Sequence, residues 1–555
     1  MPSFNMDILH LYLKDSLKRS YIQATASEMP NDDALPALQM TIAPESLDNL
    51  NSDLPESGKS DYYRAYVRYN GKSFTVKARY MGDNYWHWLN PQKSWRIKAK
   101  KNRLINDSRK LNIKNPRYML PFNQCIPQDL AREIGLIAPR IFPIKFILNG
   151  LYMGVYLFWD PIDENVIRRF KRMPGSIYSG DGAPTDPKSG VSALWLDEKW
   201  WEKDGSRNAD QEAYRGDIRK LLHAINEQSL SDFYLFCKKH LDQKMFCKLF
   251  SLDSLVATLT RDYHHNHKLY FDPYMGKFVP ISWDTNDWWL NIRELDTTSN
   301  PLLNKWKLIP TFELLRQQTL FNLLQTTFSY ENLEKKISYY DGLVRPSLEA
   351  DATRDAKDYN PQSLLKFGRV AVRPFTMDEY ISAVDQFKVD IKGRIRFLSD
   401  YLDKSRLLVG LEQREGTSIV RVLVSGNVGR LVTGLRFEGN CPSLDLYRDV
   451  NRNSRLDEKD VFIGSGKLMN DQCLINVSEE VLPGYKKVRT PIHKNHGRYI
   501  LEVSPLEYDY IVLPSKGTID SVEIVSKSIV TGEPEKSSYG KIPHDASSAT
   551  ISLHP

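Results

Sequence analysis

Residues 259–287 of this 555-residue chain, LTRDYHHNHKLYFDPYMGKFVPISWDTND, decide how the rest of it is read. Residues 268–272 (KLYFD) and 277–284 (KFVPISWD) are short apolar runs rich in Tyr, Phe, Val and Ile. Asp272-Pro273-Tyr274-Met275-Gly276 between them is turn chemistry, so the pattern predicts a β-hairpin. Antiparallel pairing brings the start of the first strand beside the end of the second, and with it Asn266 beside Asp284, while Asp262 lies one short loop upstream. Two carboxylates and an amide oxygen at the open end of one hairpin are the hard ligands that Mg²⁺ prefers. Taken singly, each is an ordinary cap or loop residue. The conjunction is what suggests chemistry, and Asp287, three residues after Asp284, either joins the set or closes a turn.

Working outward, residues 7–172 carry mostly strand signals: MDILHLYL, RAYVRYNG, KSFTVKARYMG, KSWRIKA, RKLNIKN, FPIKFILNG and LYMGVYLFWD, each bounded by Gly, Asn or Pro. IPQDLAREIG interrupts them with a helix over residues 128–134 that Gly135 stops, and Asn149-Gly150 suits a tight two-residue turn. After Gly182 the apolar period becomes helical, in DIRKLLHAINEQ, LSDFYLFCKKHL, QKMFCKLFSLDSLVATLT, TFELLRQQTLFNLLQTTF, NLEKKISYYDGLV and DEYISAVDQFKVDIKGRIRFLSDYL. RPSLEADATRDAKDYNPQS reads as a loop. Beyond residue 406 short strands return at turn-punctuated spacing, predicting an immunoglobulin-like or jelly-roll sandwich over residues 406–555. The fold class is therefore α+β, a strand-rich part of about residues 1–180 and a helical part of about 181–405, followed by an all-β domain.

Composition narrows the function. A chain of this length exceeds what one core usually serves, and 41% hydrophobic with 26% charged residues is ordinary globular usage. The formal net charge of +7 is a mild surplus favouring anionic ligands. Because no Lys/Arg block is interleaved with stacking aromatics over a short span, the sequence argues against nucleic acid. No window approaches the roughly 18 uninterrupted apolar residues of a membrane span, and the start shows no basic flank followed by an apolar core and a cleavage site. The five cysteines include no CxxC pair, which argues against a zinc ribbon; Cys441 and Cys473 share a segment in which an oxidising compartment would allow a disulfide. His264, His265 and His267 lack a further ligand cluster and read as loop or hydrogen-bonding groups, and Trp283, Trp288 and Trp289 as packing.

A loop Asp, an Asn a few residues on, a hairpin and then an Asp is the order of a kinase catalytic loop and its metal-binding Asp. Together with YVRYNG, VKARYMGD, QKSWRIKAKK, RKLNIKN, DLAREIG, FILNGLYMGVYLFWDPIDENVI, LTRDYHHNHKLYFD, GKFVPISWDTND and IKGRIRFLSDYL, it resembles the CotH kinases, atypical kinase-fold proteins related to a spore-coat protein, over roughly residues 7–403. The resemblance implies a two-lobed kinase-like domain over residues 1–405, with ATP and Mg²⁺ as cofactors and phosphoryl transfer to a protein Ser/Thr. On that reading Asp262 is the base, Asp284 bridges metal and phosphates, and Asn266 is a second metal ligand. In KSWRIKA, Ser94, Arg96 and Lys98 share one strand face, making Lys98 the candidate phosphate-binding lysine, with Arg96 its competitor and Glu133 the candidate helix partner. Two departures alter the expected pocket: Trp159-Asp160 stands where relatives carry a Glu, and the usual RG of the early strand appears as Arg79-Tyr80-Met81-Gly82; with no GxGxxG in the N-terminal part, covering the phosphates is left to a loop around Gly82-Asp83. A nucleotide-binding pseudokinase, or a non-catalytic envelope protein binding polysaccharide, is the alternative.

Residues 449–460, DVNRNSRLDEKD, hold a second motif. Asp449, Asn451, Asn453, Asp457 and Asp460 occupy positions one, three, five, nine and twelve of a Ca²⁺-type loop, with Ser454 in place of Gly and Asp460 in place of the bidentate Glu. Such a weak site fills only where calcium is abundant, which, with the family resemblance, points to the cell envelope or exterior.

Overall fold

In a computed structural model, the structure describes residue 17 and residues 34–541 apart from 53, 55–60, 83–86, 88–91, 117, 185–191, 205–213, 260, 262–265, 286–287, 298–299, 352–353, 359–370, 404–406, 414–419, 427–429, 450–454, 478–486, 494–497, 504–505 and 529–533. The chain is mixed α and β and forms two units. One comprises Met1–Ile177, Ile281–Leu290 and Thr327–Gly393, the other Tyr178–Pro280, Asn291–Thr326 and Arg394–Pro555.

In the first unit, β1 (Ala37–Ile42), β2 (Tyr63–Tyr69), β3 (Lys72–Tyr80), β4 (Trp95–Ala99), β5 (Lys110–Lys114), β6 (Ile141–Leu148) and β7 (Leu151–Trp159) close into a barrel in the order β1-β2-β3-β4-β5-β7-β6. Closure is completed by parallel pairing of β1 with β6. Period-two alternation sets the faces: Ala65, Val67, Val76, Ala78, Trp95, Ile97, Leu111 and Ile113 are buried in one core with Phe146, Tyr156 and Phe158. Each large apolar side chain so buried contributes about 1.5–3 kcal/mol. The β6–β7 connection is the expected turn, with Asn149 at φ 50° and Gly150 at φ 84°. The Asn149 side chain also accepts from the Ile42 amide and donates to the Ile42 carbonyl, pinning β1 to the hairpin. Helix α1 (Cys125–Glu133) ends before Gly135, whose φ of 82° only glycine adopts without strain.

In the second unit, β8 (Ser176–Gly180), β9 (Trp201–Asp204), β10 (His267–Asp272) and β11 (Lys277–Pro280) form a sheet in the order β11-β10-β8-β9. The helical periods read from the sequence appear as Gly216–Asn226, Leu230–His240, Gln243–Val256 and Pro310–Leu324, in the first unit as Tyr330–Glu349, and as Met377–Asp403, which belongs to the first unit up to Gly393 and to the second from Arg394. The expected loop beginning at Arg345 instead completes the helix Tyr330–Glu349, because Pro346 lies in its last turn, where the helix ends before the lost amide bond costs further turns. Short strands β12 (Asp355–Asp358) and β13 (Ala371–Pro374) pair after it.

Toward the C-terminus lie β14 (Leu407–Gln413), β15 (Val420–Gly426), β16 (Arg430–Gly439), β17 (Ser443–Arg448), β18 (Val461–Lys467), β19 (Gln472–Asn476), β20 (Lys487–His493), β21 (Arg498–Val503), β22 (Leu506–Pro514), β23 (Ile519–Ser528) and β24 (Pro534–Lys541). They make a five-stranded sheet, β14-β15-β22-β17-β18, a four-stranded sheet, β19-β16-β23-β24, and the pair β20-β21. Leu444, Leu446, Tyr510 and Val512 from the first sheet share one core with Leu435, Phe437, Ile475 and Val522 from the second. Cys441 and Cys473 belong to that core as free thiols, so the disulfide considered from the sequence is absent; both thiols are pushed up in pKa by burial. Among the described residues no helix is long and apolar enough to cross a membrane. The strand expected at residues 6–13 lies outside the described residues.

Candidate functional site

The hairpin read from the sequence is present, β10 pairing with β11 from Asp272–Lys277 through Leu269–Pro280. The ladder stops there. Ile281 turns to a parallel bridge with Ile137, and the Ser282 amide donates to the Ile137 carbonyl at 2.8 Å. Asn266 and Asp284 thus stand beyond the ladder, each in left-handed backbone, with φ of 63° and 48°. Asn and Asp are the non-glycine residues that enter this region most readily.

Within the first unit, the alternation of KLNIK in β5 buries Leu111 and Ile113 in the barrel core and turns Asn112 and Lys114 to the other face. Lys114 Nζ lies 3.4 Å from Asp284 Oδ1, with side-chain exposures of 8% and 22%, and 3.9 Å from the centroid of the Trp159 ring. Trp159 in turn meets Trp283 edge to face at 5.5 Å. Trp288 Nε1 donates to the Asn123 carbonyl at 2.8 Å, and Gln124 Nε2 to the Pro116 carbonyl at 3.4 Å. These bonds tie the residues around α1 to the segments that carry Asp284 and Lys114. Lys114 was not among the residues singled out from the sequence, although the same alternation argument applied to RKLNIKN would have placed it on the face of Lys110.

Lys98 and Arg96 stand elsewhere on that outer face. Lys98 is opposite Lys77 and Lys110 in the sheet and lies over the Tyr62 ring, while Arg96 Nε donates to Asn112 Oδ1 at 3.1 Å. Glu133 forms an ion pair with Lys336 in the helix Tyr330–Glu349, not with Lys98; a carboxylate on the last turn of α1 finds the cation of the helix packed beside it. Asp160 is buried and receives Arg140 Nε at 2.7 Å, Arg169 Nη1 at 2.9 Å and Ser108 Oγ at 2.8 Å. It braces the exit of β7, and its oxygens are engaged by this chain's own donors.

In the second unit Asp262 lies outside the described residues, as does Asp287 in the first. Its neighbour Arg261 is buried and donates through Nη1 to Asp253 Oδ1 at 2.6 Å. Burial pushes Asp253 up to about 6 despite the attraction of Arg261. The helix Gln243–Val256 ends at Ala257 with φ 52°, and the Thr258 amide returns to the Asp253 carbonyl, so the loop leading to Asp262 leaves from a fixed point. His267, read from the sequence as a loop or hydrogen-bonding group, instead opens β10 and is buried edge to face on Trp195 at 4.9 Å, and His264 and His265 lie outside the described residues.

Among the described residues no group of three His, Cys, Asp or Glu is arranged to hold a metal. Taken singly, Asp284 in the first unit and Asn266 in the second each carry a hard oxygen of the kind Mg²⁺ takes. In the C-terminal loop Asp449 is buried, and Asn451 and Asn453 lie outside the described residues. Asp457 Oδ1 accepts from the Lys459 amide and Asp460 Oδ2 from the Asp457 amide, each at 2.8 Å, so these carboxylates close a turn.

The description "CotH kinase protein" matches residues 67–398, well over half of the chain. The chain belongs to the CotH kinase family. It is similar to the inner spore coat protein H of Bacillus subtilis (strain 168), at 23% identity over 395 residues, covering 67% of this chain and 99% of that protein. The CotH match encloses β3 to β11, Lys114, Asp284, Asn266 and the helix Met377–Asp403 up to residue 398, and leaves β14 to β24 outside it.

Proposed function

We propose that this chain is a CotH-type protein kinase that uses MgATP to phosphorylate Ser or Thr of a protein substrate. The observation that supports it most directly is the Lys114–Asp284 pair, which sets a shielded cation against the carboxylate that the hairpin order marks as metal ligand. Lys114, rather than Lys98 or Arg96, is the residue to hold phosphate oxygens, and Trp159 and Trp283 wall that position from water. Asp284 and Asn266 would hold Mg²⁺, which when bound supplies neutralisation of charge on the phosphates. Asp262 orients the acceptor hydroxyl and takes its proton, and the buried Asp253–Arg261 pair fixes the start of its loop. A two-lobed layout over residues 1–405 and a β-sandwich over 406–555 complete the reading, the latter with a Ca²⁺ loop and a cell-envelope or secreted setting.

The test is incubation with γ-labelled ATP and Mg²⁺, alone and with a generic Ser/Thr substrate. Label transfer abolished by Asp284→Ala and Asp262→Ala is expected; equal transfer by the variants removes the mechanism. The second reading, a nucleotide-binding pseudokinase or polysaccharide-binding envelope protein, is favoured by the bracing of Asp160 with Arg140 and Arg169 at the position where CotH kinases carry a Glu. Calorimetry separates the two: MgATP binding without turnover selects the pseudokinase.

A further inference from the structure

β2, β3, β4 and β5 are neighbours in the barrel, and their registers line up Arg64 with Lys77, Lys77 with Lys98, and Lys98 with Lys110. One row across four adjacent strands is therefore entirely cationic. The next row repeats the theme, with Arg79 opposite Arg96. Arg64, Lys77 and Lys110 are exposed, and Lys98, Arg79 and Arg96 half-buried. Among the described residues no carboxylate forms an ion pair with Arg64, Lys77, Arg79, Lys98 or Lys110, although Lys110 at the end of the row acts on the carboxyl of Asp163. Like charges directly opposite one another in a sheet are destabilising, so the fold tolerates this ladder at a cost that a bound anion would relieve.

We propose that this face docks an acidic polypeptide segment. Neighbouring strands lie about 4.8 Å apart, so the four-cation row runs about 14 Å, a length met by a chain of anions rather than by one nucleotide. An extended peptide presents same-side residues about every 6.7 Å, so three Asp or Glu at alternate positions span the whole row, each within reach of one or two of its long cationic side chains. Single-stranded nucleic acid would need open aromatic faces for its bases. Here each ring already shares its surface with a ladder cation: Arg79 lies 4.8 Å and Lys98 5.8 Å from the Tyr62 ring centroid, and Arg64 lies 5.3 Å from that of the exposed Tyr66, which leaves two tyrosines and no run of stacking platforms among the described residues here. The second row leads through Arg96 and Asn112 to Trp159, which lies under Lys114, so a peptide docked here is held beside the proposed phosphoryl-transfer site. Its identity as the kinase substrate rests on the proposed function; its binding does not.

The experiment is fluorescence anisotropy of a labelled peptide of alternating Glu and Ser, titrated with the full chain without nucleotide or metal. A Gln/Ser peptide and an oligothymidylate are run alongside. Binding of the acidic peptide that weakens with salt, falls at least about tenfold in K77E/K98E, and falls less in K77Q/K98Q is expected. Circular dichroism checks that both variants fold. No binding, binding unchanged in both variants, or equally tight ladder-dependent binding of the oligothymidylate each overturns the proposal. Because no phosphoryl transfer is read, loss of the kinase reading would leave this result standing, and the reverse.

Discussion

Replacing Lys114 by Met tests which lysine serves the nucleotide. At 3.4 Å and an effective dielectric constant of about 20, the gross attraction between Lys114 and Asp284 is about 5 kcal/mol. Desolvation of two charges offsets most of that, and the Trp159 face returns about 0.5–2 kcal/mol. The variant leaves Asp284 without this cation, but at 22% exposure water takes up part of its charge, so a stability loss of about 1–2 kcal/mol, or a few degrees in Tm, follows. The proposed phosphate contact would be a charge-assisted bond of about 1.5–3 kcal/mol, so kcat/KM for ATP is expected to fall about 10- to 100-fold. Lys98→Met, on the ladder, changes it less than about threefold. If Asp284 holds Mg²⁺ as proposed, Lys114 competes with the metal, and Mg²⁺ alone binds Lys114→Met more tightly in calorimetry, an outcome that general misfolding does not produce. If Lys98→Met impairs ATP use and Lys114→Met does not, the assignment is wrong and the cationic ladder belongs to the nucleotide.

Asp253, raised from 3.8 to about 6, binds more protons folded than unfolded between those values, so its contribution to stability declines as pH rises through that window, by up to about 3 kcal/mol. Urea unfolding over this pH range measures the slope, and Asp253→Asn is expected to flatten it; an unchanged slope refutes the assignment. Lys98→Gln removes two like-charge contacts, opposite Lys77 and Lys110, and stabilises the chain by about 0.2–1 kcal/mol at low salt, with the gain fading at high salt in thermal unfolding. If residues 449–460 take Ca²⁺, a hundredfold excess over Kd stabilises the chain by about 2.7 kcal/mol, and Asp449→Ala abolishes the response; matching melting curves with calcium and with chelator return the segment to a polar turn.

What the sequence made legible was local. Asn149-Gly150, the turn before Gly276 and the helix stop at Gly135 each follow from φ values that a few residue types permit, and the structure places φ of 50°, 84°, 65° and 82° there. The long helices, β15 to β19 and β21 to β23 follow from apolar period, whereas the polar β20 and β24 carry no such signal. Pairings over distance were not legible. The parallel closure of β1 on β6, the choice of Lys336 by Glu133 and the meeting of Lys114 with Asp284 across 170 residues depend on which elements lie side by side, and no local pattern encodes that. β9 escaped notice for a related reason: its WEKD lacks β-branched residues, and the strand is held through Trp201, which is buried against Trp195.

The same contrast explains why the candidate site is the least regular part of the hairpin. A ladder continued past Leu269–Pro280 would satisfy more backbone groups, yet Ile281 leaves it for Ile137, and Asn266 and Asp284 enter the left-handed region. That conformation costs a non-glycine residue about 1–2 kcal/mol, and glycine at either position would relieve it. Glycine, however, carries no oxygen ligand. A carboxylate and an amide at the two positions that backbone energetics would give to glycine are accounted for if their oxygens have work beyond the fold, and Lys114, held against Asp284 in a largely buried setting, meets one of them.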